Sequence, residues 1–386
     1  MKGILLKNGT FYTEQGVLAD GYMCVSEQGT IAEIGTGDPP EAAGTDVVDC
    51  RGQLVLPGFI DVHVHGGGGF DVLSATFEGL DGMSRFHARQ GTTAFLATTS
   101  TTSLERIEAA LRNAAAAVGR TTGAELAGIH LEGPYLHELR RGAQSKEHIR
   151  LPDIAELERL QAAAEGHIRL VTMAPEVEGG FAAARWLAQE QGVTVSMGHS
   201  NATFVEAQEA IRHGVNHTTH HFNGMSPFHH RDPGLAGAGL MLPALTTELI
   251  CDGIHVHPAA VKLLFDVKGP QGVCLITDAI SVAGLPNGRY GGVVVRDGEI
   301  MLADGSSLAG SALTMLQALK NAMRFTGYSL EQLLPSLTAV PARQVRLAER
   351  KGSLAVGKDA DFLLLTPEEL ELQATYVRGQ AVYRAV

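Results

Sequence analysis

The chain has 386 residues, of which 45% are hydrophobic and 19% are charged, a composition typical of a globular protein with a large core. Its formal net charge of −12 excludes binding to nucleic acid or anionic membranes through a broadly basic surface, but it permits a small basic pocket. The four cysteines form no CxxC pair, and no apolar run reaches the ~18 residues that a membrane span needs. We therefore expect reduced core thiols, no secretory signal and a cytoplasmic location.

Residues 1–55 have the pattern of short β-strands separated by turns. Runs such as GILLKNGTFYT and GYMCVSEQGT alternate apolar and polar residues and contain Asn-Gly and Gln-Gly turn signals. Residues 350–386 have the same pattern at the other end of the chain. Since neither segment is long enough to form a core alone, we predict that residues 1–55 and 350–386 pair in one small β-sandwich domain.

Residues 56–349 alternate short apolar runs with helical stretches. The predicted strands are GFIDVHVH, TTAFLATTS, LAGIHLEGP, IRLVTMAPE, VTVSMGHS, VNHTTHHFN, TELICDGIHV and GVCLITDA. The predicted helices include SLERIEAALRNAAAAV, DIAELERLQAAAE, GFAAARWLAQEQ and TFVEAQEAIRHG. Strands that alternate with helices in this way predict an α/β fold, the (β/α)8 TIM barrel, which takes about 250 residues. We assign residues 56–349 to this catalytic domain.

Most of the predicted strands end in side chains that bind metals or transfer protons. These residues are His63, His65, Glu132, His199, His220 or His221, Asp252 with His255, and Asp278. The carboxyl ends of barrel strands carry the active site, so we expect these side chains to meet at one rim. His63 and His65 are two residues apart and point to the same face, and the glycines after them allow close backbone packing.

Histidine and carboxylate ligands without cysteine suit Zn²⁺, Fe²⁺, Mn²⁺ or Co²⁺ at a catalytic site. Four histidines and one glutamate exceed what one tetrahedral ion with an open position needs. We therefore hypothesise that Glu132 bridges two ions, with His63 and His65 on one side and His199 and His220 on the other. One or two divalent cations per chain are expected.

Three positions keep alternative interpretations. Asp278 ends the last strand, where a carboxylate can move protons between water and a leaving nitrogen, but it can also cap the next helix. Only one of His220 and His221 points inward, and strand alternation alone does not say which. Arg231 lies beside a Pro-Gly turn, where its forked guanidinium suits a phosphate but also suits an ordinary solvated surface.

Several stretches resemble the amidohydrolase superfamily and, within it, the N-acetylglucosamine-6-phosphate deacetylase family. They are PGFIDVHVHGGGG, HLEGPYL with RRGAQ, MGHSNAT, THHFNGMSPFHHRDPGLAG, CDGIHVHP, LITDAI and LAGSALTM. They occur in order across nearly the whole predicted barrel. The resemblance implies metal-dependent hydrolysis of N-acetyl-D-glucosamine 6-phosphate to D-glucosamine 6-phosphate and acetate, in amino sugar catabolism or recycling.

The resemblance also implies roles for individual residues. The implied metal ligands are Glu132, His199 and His220 in every member, with His63 and His65 for a second ion in some members. Asp278 matches the catalytic acid and base. The positions that match substrate-binding residues are Gln144, Asn223, Gly224, Arg231, His255 and Ala309. One basic group can come from the partner subunit of a homodimer, and Gln144 replaces a histidine that some members place near the substrate carbonyl.

Two other functions stay open. The chain can be another amidohydrolase, a deacetylase or cyclic amidase that acts on a substrate without phosphate and has no need of the segment around Arg231. It can also be a non-catalytic scaffold, although such relatives lose metal ligands and here every ligand position is filled. The expected partners are a small phosphosugar and a second copy of the chain, not nucleic acid or a membrane.

Overall fold

The computed structural model describes residues 2–39 and 44–385. The N-terminal part forms five strands, β1 (Ile4–Thr13), β2 (Gly16–Val25), β3 (Ile31–Thr36), β4 (Asp46–Asp49) and β5 (Leu54–Pro57). β1 and β2 are antiparallel, whereas β4 and β5 run parallel to β1. The alternating apolar residues of these strands bury one side of the sheet, as Phe11 and Met23 illustrate.

The next ten strands contain the barrel. They are β6 (Phe59–Val64), β7 (Gly66–Gly67), β8 (Phe70–Asp71), β9 (Thr92–Thr99), β10 (Glu125–Glu132), β11 (Ile168–Met173), β12 (Thr194–Met197), β13 (Val215–Thr218), β14 (Thr246–Ile250) and β15 (Val273–Ile276). β6 and β9–β15 form one parallel eight-stranded sheet in chain order. The sheet closes where the backbone N–H of Asp278 donates to the carbonyl oxygen of His63 at 2.9 Å. The predicted eight-stranded barrel is therefore confirmed.

Helices pack around the barrel. They are α1 (Phe77–Ala88), α2 (Leu104–Ala117), α3 (Ile154–Ala163), α4 (Gly180–Arg185), α5 (Phe204–Arg212), α6 (Gly234–Met241), α7 (Pro258–Lys268), α8 (Met315–Thr326), α9 (Leu330–Leu333) and α10 (Ala339–Gln344). Short 3-10 segments occur at Val72–Ser74, Glu138–Arg140, Lys146–His148, Pro270–Gly272 and Leu334–Leu337, and a π segment at Trp186–Glu190. The four predicted helices correspond to α2, α3, α4 with the π segment, and α5. The starts of α2, α3 and α5 follow from capping, since Ser103, Asp153 and Thr203 accept backbone N–H groups of the first turns.

A three-stranded antiparallel sheet that we did not predict is inserted between β15 and α8. Its strands are β16 (Gly288–Tyr290), β17 (Val293–Arg296) and β18 (Glu299–Leu302). It has a small apolar core of its own, formed by Val282, Val295 and Ile300. The segment after β18 lies at the carboxyl end of the barrel, where Leu302 and Ala309 line the central cavity.

The C-terminal strands β19 (Phe362–Leu365), β20 (Leu372–Val377) and β21 (Gln380–Arg384) complete the terminal sheet. Its order is β21-β20-β19-β5-β1-β2-β3, with β4 on β1, and β19 is antiparallel to β5. One apolar cluster contains residues from both termini, including Phe11 and Phe362. Both termini therefore form one β module, as predicted, while the exact domain limits at 55/56 and 349/350 stay predictions.

Lys351 connects the terminal sheet to the barrel. It is 1% exposed, and its Nζ lies 2.8 Å from Glu125, at the start of β10, and 3.1 and 2.6 Å from Asp359 and Asp361. Burial acts to lower the pKa of Lys351, but the three carboxylates outweigh burial and raise it, which keeps the lysine charged. None of the helices within the described ranges is long and apolar enough to cross a membrane.

Candidate active site

Six predicted side chains meet at the carboxyl end of the barrel. His63 comes from β6 and His65 from just after it, Glu132 is the last residue of β10, and His199, His220 and Asp278 follow β12, β13 and β15. All six are between 0% and 8% exposed. Their ligand atoms form two groups, and within each group these atoms lie within 4.8 Å of one another. We call Glu132, His199 and His220 the first donor set, and His63, His65 and Asp278 the second donor set.

Glu132 faces both donor sets with different oxygens. Its Oε1 lies 3.3 Å from Nε2 of His199 and of His220, and 3.4 Å from Nε2 of His63. Its Oε2 lies 3.3 Å from Nε2 of His65. Asp278 reaches the second donor set from the other side, with Oδ1 3.3 Å from Nε2 of His65. One carboxylate therefore contacts both clusters of ligand atoms, while the bridging of two ions by Glu132 stays a prediction.

The histidines of the first donor set present lone pairs to Glu132. His199 Nδ1 lies 2.8 Å from the carbonyl oxygen of Arg140, and His220 Nδ1 lies 3.1 Å from that of Asn223. A carbonyl oxygen only accepts hydrogen bonds, so each Nδ1 carries a proton and each Nε2 of a neutral ring has a free lone pair. The two Nε2 atoms are 3.1 Å apart and both point at Glu132 Oε1. A divalent cation fits this convergence of acceptor atoms.

Two buried carboxylates depend on the surrounding positive charge. Burial raises the pKa of Asp278, but His63 and His65 lower it to about 2. Burial also acts to raise the pKa of Glu132, yet the charge of His63 and the adjacent imidazoles of His199 and His220 hold that pKa well below its usual range. Burial acts to lower the pKa of His65, but its hydrogen bonds to Asp278 and Glu132 raise it to about 9. Protons on imidazoles or a bound cation can supply this charge, so the electrostatics also fit a metal site.

Backbone conformation aims three of these side chains. His199, His220 and Asp278 each lie two residues beyond the end of a strand. Each has a left-handed φ, of 48°, 29° and 51° respectively. Such conformations cost about 1–3 kcal/mol each in residues with a side chain and tend to cluster at functional sites. The strand ends therefore adopt strained turns that direct the three side chains towards the barrel axis.

The glycines after His65 are required by close packing. A Cβ atom on Gly66 would lie 2.3 Å from the carbonyl oxygen of Phe70 and 2.6 Å from the backbone nitrogen of Ser281. A Cβ atom on Gly67 would lie 2.6 Å from the ring of Phe86. Side chains at these positions would push the segment out of place, which explains why glycines follow the His-Val-His motif directly.

A cavity of about 470 Å³ opens above the two donor sets. Five of the predicted substrate-binding residues line it, namely Gln144, Asn223, Gly224, His255 and Ala309. Arg231 does not line it, because it is exposed in the turn at 229–232, with Nη1 2.8 Å from His230 Nε2. Among the described residues, no lysine or arginine lines this cavity.

Of the two basic residues predicted to bind substrate, His255 and Arg231, His255 faces the cavity. Its side chain is 7% exposed, its Nδ1 lies 2.6 Å from Asp252 Oδ2, and its buried Nε2 has no partner within the described residues. Burial acts to lower the pKa of His255, but Asp252 outweighs burial and raises it, with help from Asp278 and Glu299. An imidazolium in this position offers one N–H group to an anion.

A sequence model of the amidohydrolase family matches residues 54–382. The chain belongs to the amidohydrolase family. This match includes every barrel strand and both donor sets.

Two relatives and one solved structure are similar to this chain over nearly its full length. The N-acetylglucosamine-6-phosphate deacetylase of Bacillus subtilis (strain 168) is 40% identical over 390 residues, covering 99% of this amidohydrolase and 98% of that protein. The N-acetylgalactosamine-6-phosphate deacetylase of Escherichia coli O157:H7 is 37% identical, covering 97% and 98%. The crystal structure of N-acetyl-D-glucosamine-6-phosphate deacetylase from Mycobacterium smegmatis superposes with a TM-score of 0.91 at 32% identity, covering 99% and 100%.

Glu248, which was not among the predicted site residues, supports the site of this amidohydrolase from β14. Glu248 is 0% exposed, and its Oε2 accepts from His63 Nδ1 at 2.9 Å and from the backbone N–H of His220 at 3.1 Å. Burial acts to raise the pKa of Glu248, but His63 lowers it to about 2. An acidic residue inside the apolar run TELI was the available signal, because carboxylates are rarely buried without a partner.

The ambiguity between His220 and His221 is resolved by their surroundings. His220 belongs to the first donor set of this amidohydrolase. His221 packs against α6, where a Cβ atom on Gly239 would lie 2.1 Å from its ring, and its Nδ1 pairs with Thr218 Oγ1 at 3.3 Å. Burial lowers the pKa of His221 to about 3, so this imidazole is a neutral part of the core.

Proposed function

We propose that this amidohydrolase hydrolyses the acetamide of N-acetyl-D-glucosamine 6-phosphate to D-glucosamine 6-phosphate and acetate, a step of amino sugar catabolism or recycling. The observation that carries this proposal is one cavity with two donor sets at its base and the imidazole of His255 on its wall. The base suits a divalent cation and the wall suits an anion. The near full-length similarity to the Bacillus subtilis enzyme supports the same substrate.

The donor sets assign the cation ligands. Glu132, His199 and His220 would hold one divalent cation, and His63 and His65 a second that shares Glu132, with zinc, iron, manganese or cobalt as the suitable metals. When bound, such a cation lowers the pKa of water from about 15.7 towards 7 and polarises the amide carbonyl.

Asp278 moves the proton. Its carboxylate, whose pKa is lowered to about 2, is ionised at neutral pH and accepts a proton from the water that attacks the amide carbon. As the carbon–nitrogen bond breaks, the same carboxyl group returns the proton to the amine nitrogen. The second proton of the water stays with the new carboxyl group, so the products leave as acetic acid and the free amine, which become acetate and the ammonium form at neutral pH. Gln144 Nε2 donates to Glu132, which leaves its second N–H for the amide oxygen.

The phosphate group of the proposed substrate needs a positively charged partner in the cavity. The raised pKa of His255, caused by Asp252 against the opposing effect of burial, favours an imidazolium whose Nε2–H reaches a phosphate oxygen. Asn223, Gly224 and Ala309 line the same cavity and complete the sugar-phosphate contacts. Because Arg231 is exposed outside its own cavity, we propose that it serves the cavity of a second copy in a homodimer.

Acetate release from three compounds tests the proposal: N-acetyl-D-glucosamine 6-phosphate, the same sugar without phosphate, and N-acetyl-D-galactosamine 6-phosphate. N-acetyl-D-glucosamine 6-phosphate should be preferred over the unphosphorylated sugar by roughly 10- to 100-fold in kcat/KM, because charged hydrogen bonds contribute ~1.5–3 kcal/mol each. A chelator should abolish the activity, and added Zn²⁺ or Co²⁺ should restore it. Equal rates with and without the phosphate would instead favour an amidohydrolase for plain substrates. No acetate release from any of the compounds would favour the alternative that the chain is a non-catalytic scaffold.

A second candidate substrate is N-acetyl-D-galactosamine 6-phosphate, the C4 epimer. The Escherichia coli O157:H7 relative with that name is 37% identical over 97% of this chain. The third compound in the assay is therefore this epimer, and a higher kcat/KM for it would reassign the substrate. We also propose a cytoplasmic location, because all four cysteines are free thiols and a reducing compartment keeps them so.

A further inference from the structure

We propose that Gln144 is a positioning residue that fixes the carboxylate of Glu132 and thereby sets the affinity of the second donor set for a divalent cation. This inference rests on the proposed function, since it takes both donor sets as cation sites. It assigns Gln144 an effect on metal loading that is separate from any contact with substrate.

The side-chain amide of Gln144 is held at both ends. Its Nε2 donates to Glu132 Oε2 at 2.6 Å, and its Oε1 accepts from the backbone N–H of Thr101 at 2.8 Å. Thr101 lies two residues beyond β9, the strand next to β10, so this anchor belongs to the barrel frame. Rotation of the amide breaks both hydrogen bonds, and the amide nitrogen therefore stays directed at Glu132.

Gln144 binds the oxygen of Glu132 that faces the second donor set. Oε2 is also the oxygen 3.3 Å from His65 Nε2, whereas Oε1 faces both histidines of the first donor set and, at 3.4 Å, His63 of the second. The terminal torsion of a glutamate side chain has a broad energy minimum, so the carboxylate plane turns unless a partner holds it. Gln144 supplies that partner and keeps Oε2 turned towards His65.

The effect should differ between the two donor sets. Without Gln144, Oε1 still meets His199 and His220, which together with it would hold the first cation. The second donor set loses the fixed direction of the oxygen that faces His65 and keeps only the contact of Oε1 with His63. Loss of a hydrogen bond that orients a metal ligand typically costs about 10- to 100-fold in metal affinity. We expect this loss of affinity for the second cation alone.

Titration of the full-length chain with Co²⁺ in competition with a chelator tests this inference. Wild type should show two binding steps. Gln144→Met keeps the length of the side chain and removes both hydrogen bonds, and Gln144→Asn keeps the amide but cannot reach both partners. Both variants should weaken the second step by about 10- to 100-fold and change the first by less than about 3-fold. Gln344→Met is the matched control, because Gln344 donates to Thr246 at the amino end of β14.

Three results would overturn the inference. They are a second step within about 3-fold of wild type in the folded variants, an equal weakening of both steps, and a single binding step in wild type. None of these depends on acetate release. If the proposed substrate is wrong, wild type would bind Co²⁺ in two steps but would not hydrolyse N-acetyl-D-glucosamine 6-phosphate. The two proposals can therefore fail separately.

Discussion

Replacing Glu248 with glutamine would remove one buried negative charge and keep the size of the side chain. Oε2 of Glu248 accepts from His63 Nδ1 at 2.9 Å and from the backbone N–H of His220 at 3.1 Å. A glutamine carbonyl oxygen has two lone pairs and accepts both hydrogen bonds. The substitution therefore isolates the contribution of the charge from that of the hydrogen-bond geometry.

The size of the effect follows from the surroundings of His63. Burial acts to lower the pKa of His63, but the charges of Glu248, Glu132 and Asp278, with that of Glu248 the largest, raise it well above its usual value. Without Glu248 the ring becomes a weaker base and a weaker ligand. Loss of such a partner costs about 10- to 100-fold in metal affinity, or roughly 1.4–2.7 kcal/mol. Since Glu248 is 0% exposed, salt does not screen this effect.

The assay measures Co²⁺ dissociation constants and kcat/KM for the Glu248→Gln variant. Binding to the second donor set should weaken 10- to 100-fold, and kcat/KM should fall when Co²⁺ is limiting. Glu368→Gln, at an exposed position, is the matched control for loss of one carboxylate. A Glu248→Gln variant with the metal affinity and activity of wild type would refute the argument that Glu248 sets the basicity of His63.

Asp278→Asn should lower kcat by about 10²- to 10⁴-fold while a cation stays bound at the first donor set, because an amide cannot accept the proton; near-normal turnover would contradict this role. Dissociated Asp278→Asn and Arg231→Ala subunits, mixed in equal amounts, should regain activity that neither has alone, because a mixed dimer contains one site with both groups. No recovery would rule out donation across the interface. The KM for the phosphorylated substrate should rise with pH, since the charge of His255 is complete below the ordinary pKa of 6.5 and is lost as pH passes its raised pKa. Asp252→Asn should move this rise to lower pH, and a KM that does not change with pH would oppose it. Lys351→Met should lower the free energy of unfolding by about 3–5 kcal/mol in a denaturant titration, because it leaves three carboxylates without their shared cation; a loss below about 1 kcal/mol would contradict that account.

The candidate site was predictable from the sequence because its candidate ligands follow a positional rule. Buried barrel strands are nearly continuous apolar runs, so a polar residue at the end of such a run is conspicuous. Glu132 is the last residue of β10, and Asp278 lies two residues beyond β15, as expected for one rim. The same reasoning failed for Glu248, because that carboxylate lies within β14 and has no distinguishing neighbour in the chain.

The inserted sheet β16–β18 also escaped prediction. Its strands are only 3 or 4 residues long, and its apolar residues are too few to separate it from an ordinary connection. The insert lies over the rim and brings Leu302 and the segment to Ala309 against the cavity. Its place in space depends on the barrel beneath it.

The pattern of the chain alone predicts the barrel, the β module built from both termini, and the set of candidate ligands. These features depend on local apolar periodicity and on residue type at strand ends, and both are local properties of the sequence. Tertiary structure alone decided that Glu248, 185 residues away from His63, holds its ring, that His220 rather than His221 turns inward, and that Arg231 lies outside its own cavity. The physical reason is that hydrogen bonds and side-chain directions depend on which distant strands become neighbours, and closure of the barrel sets those neighbours.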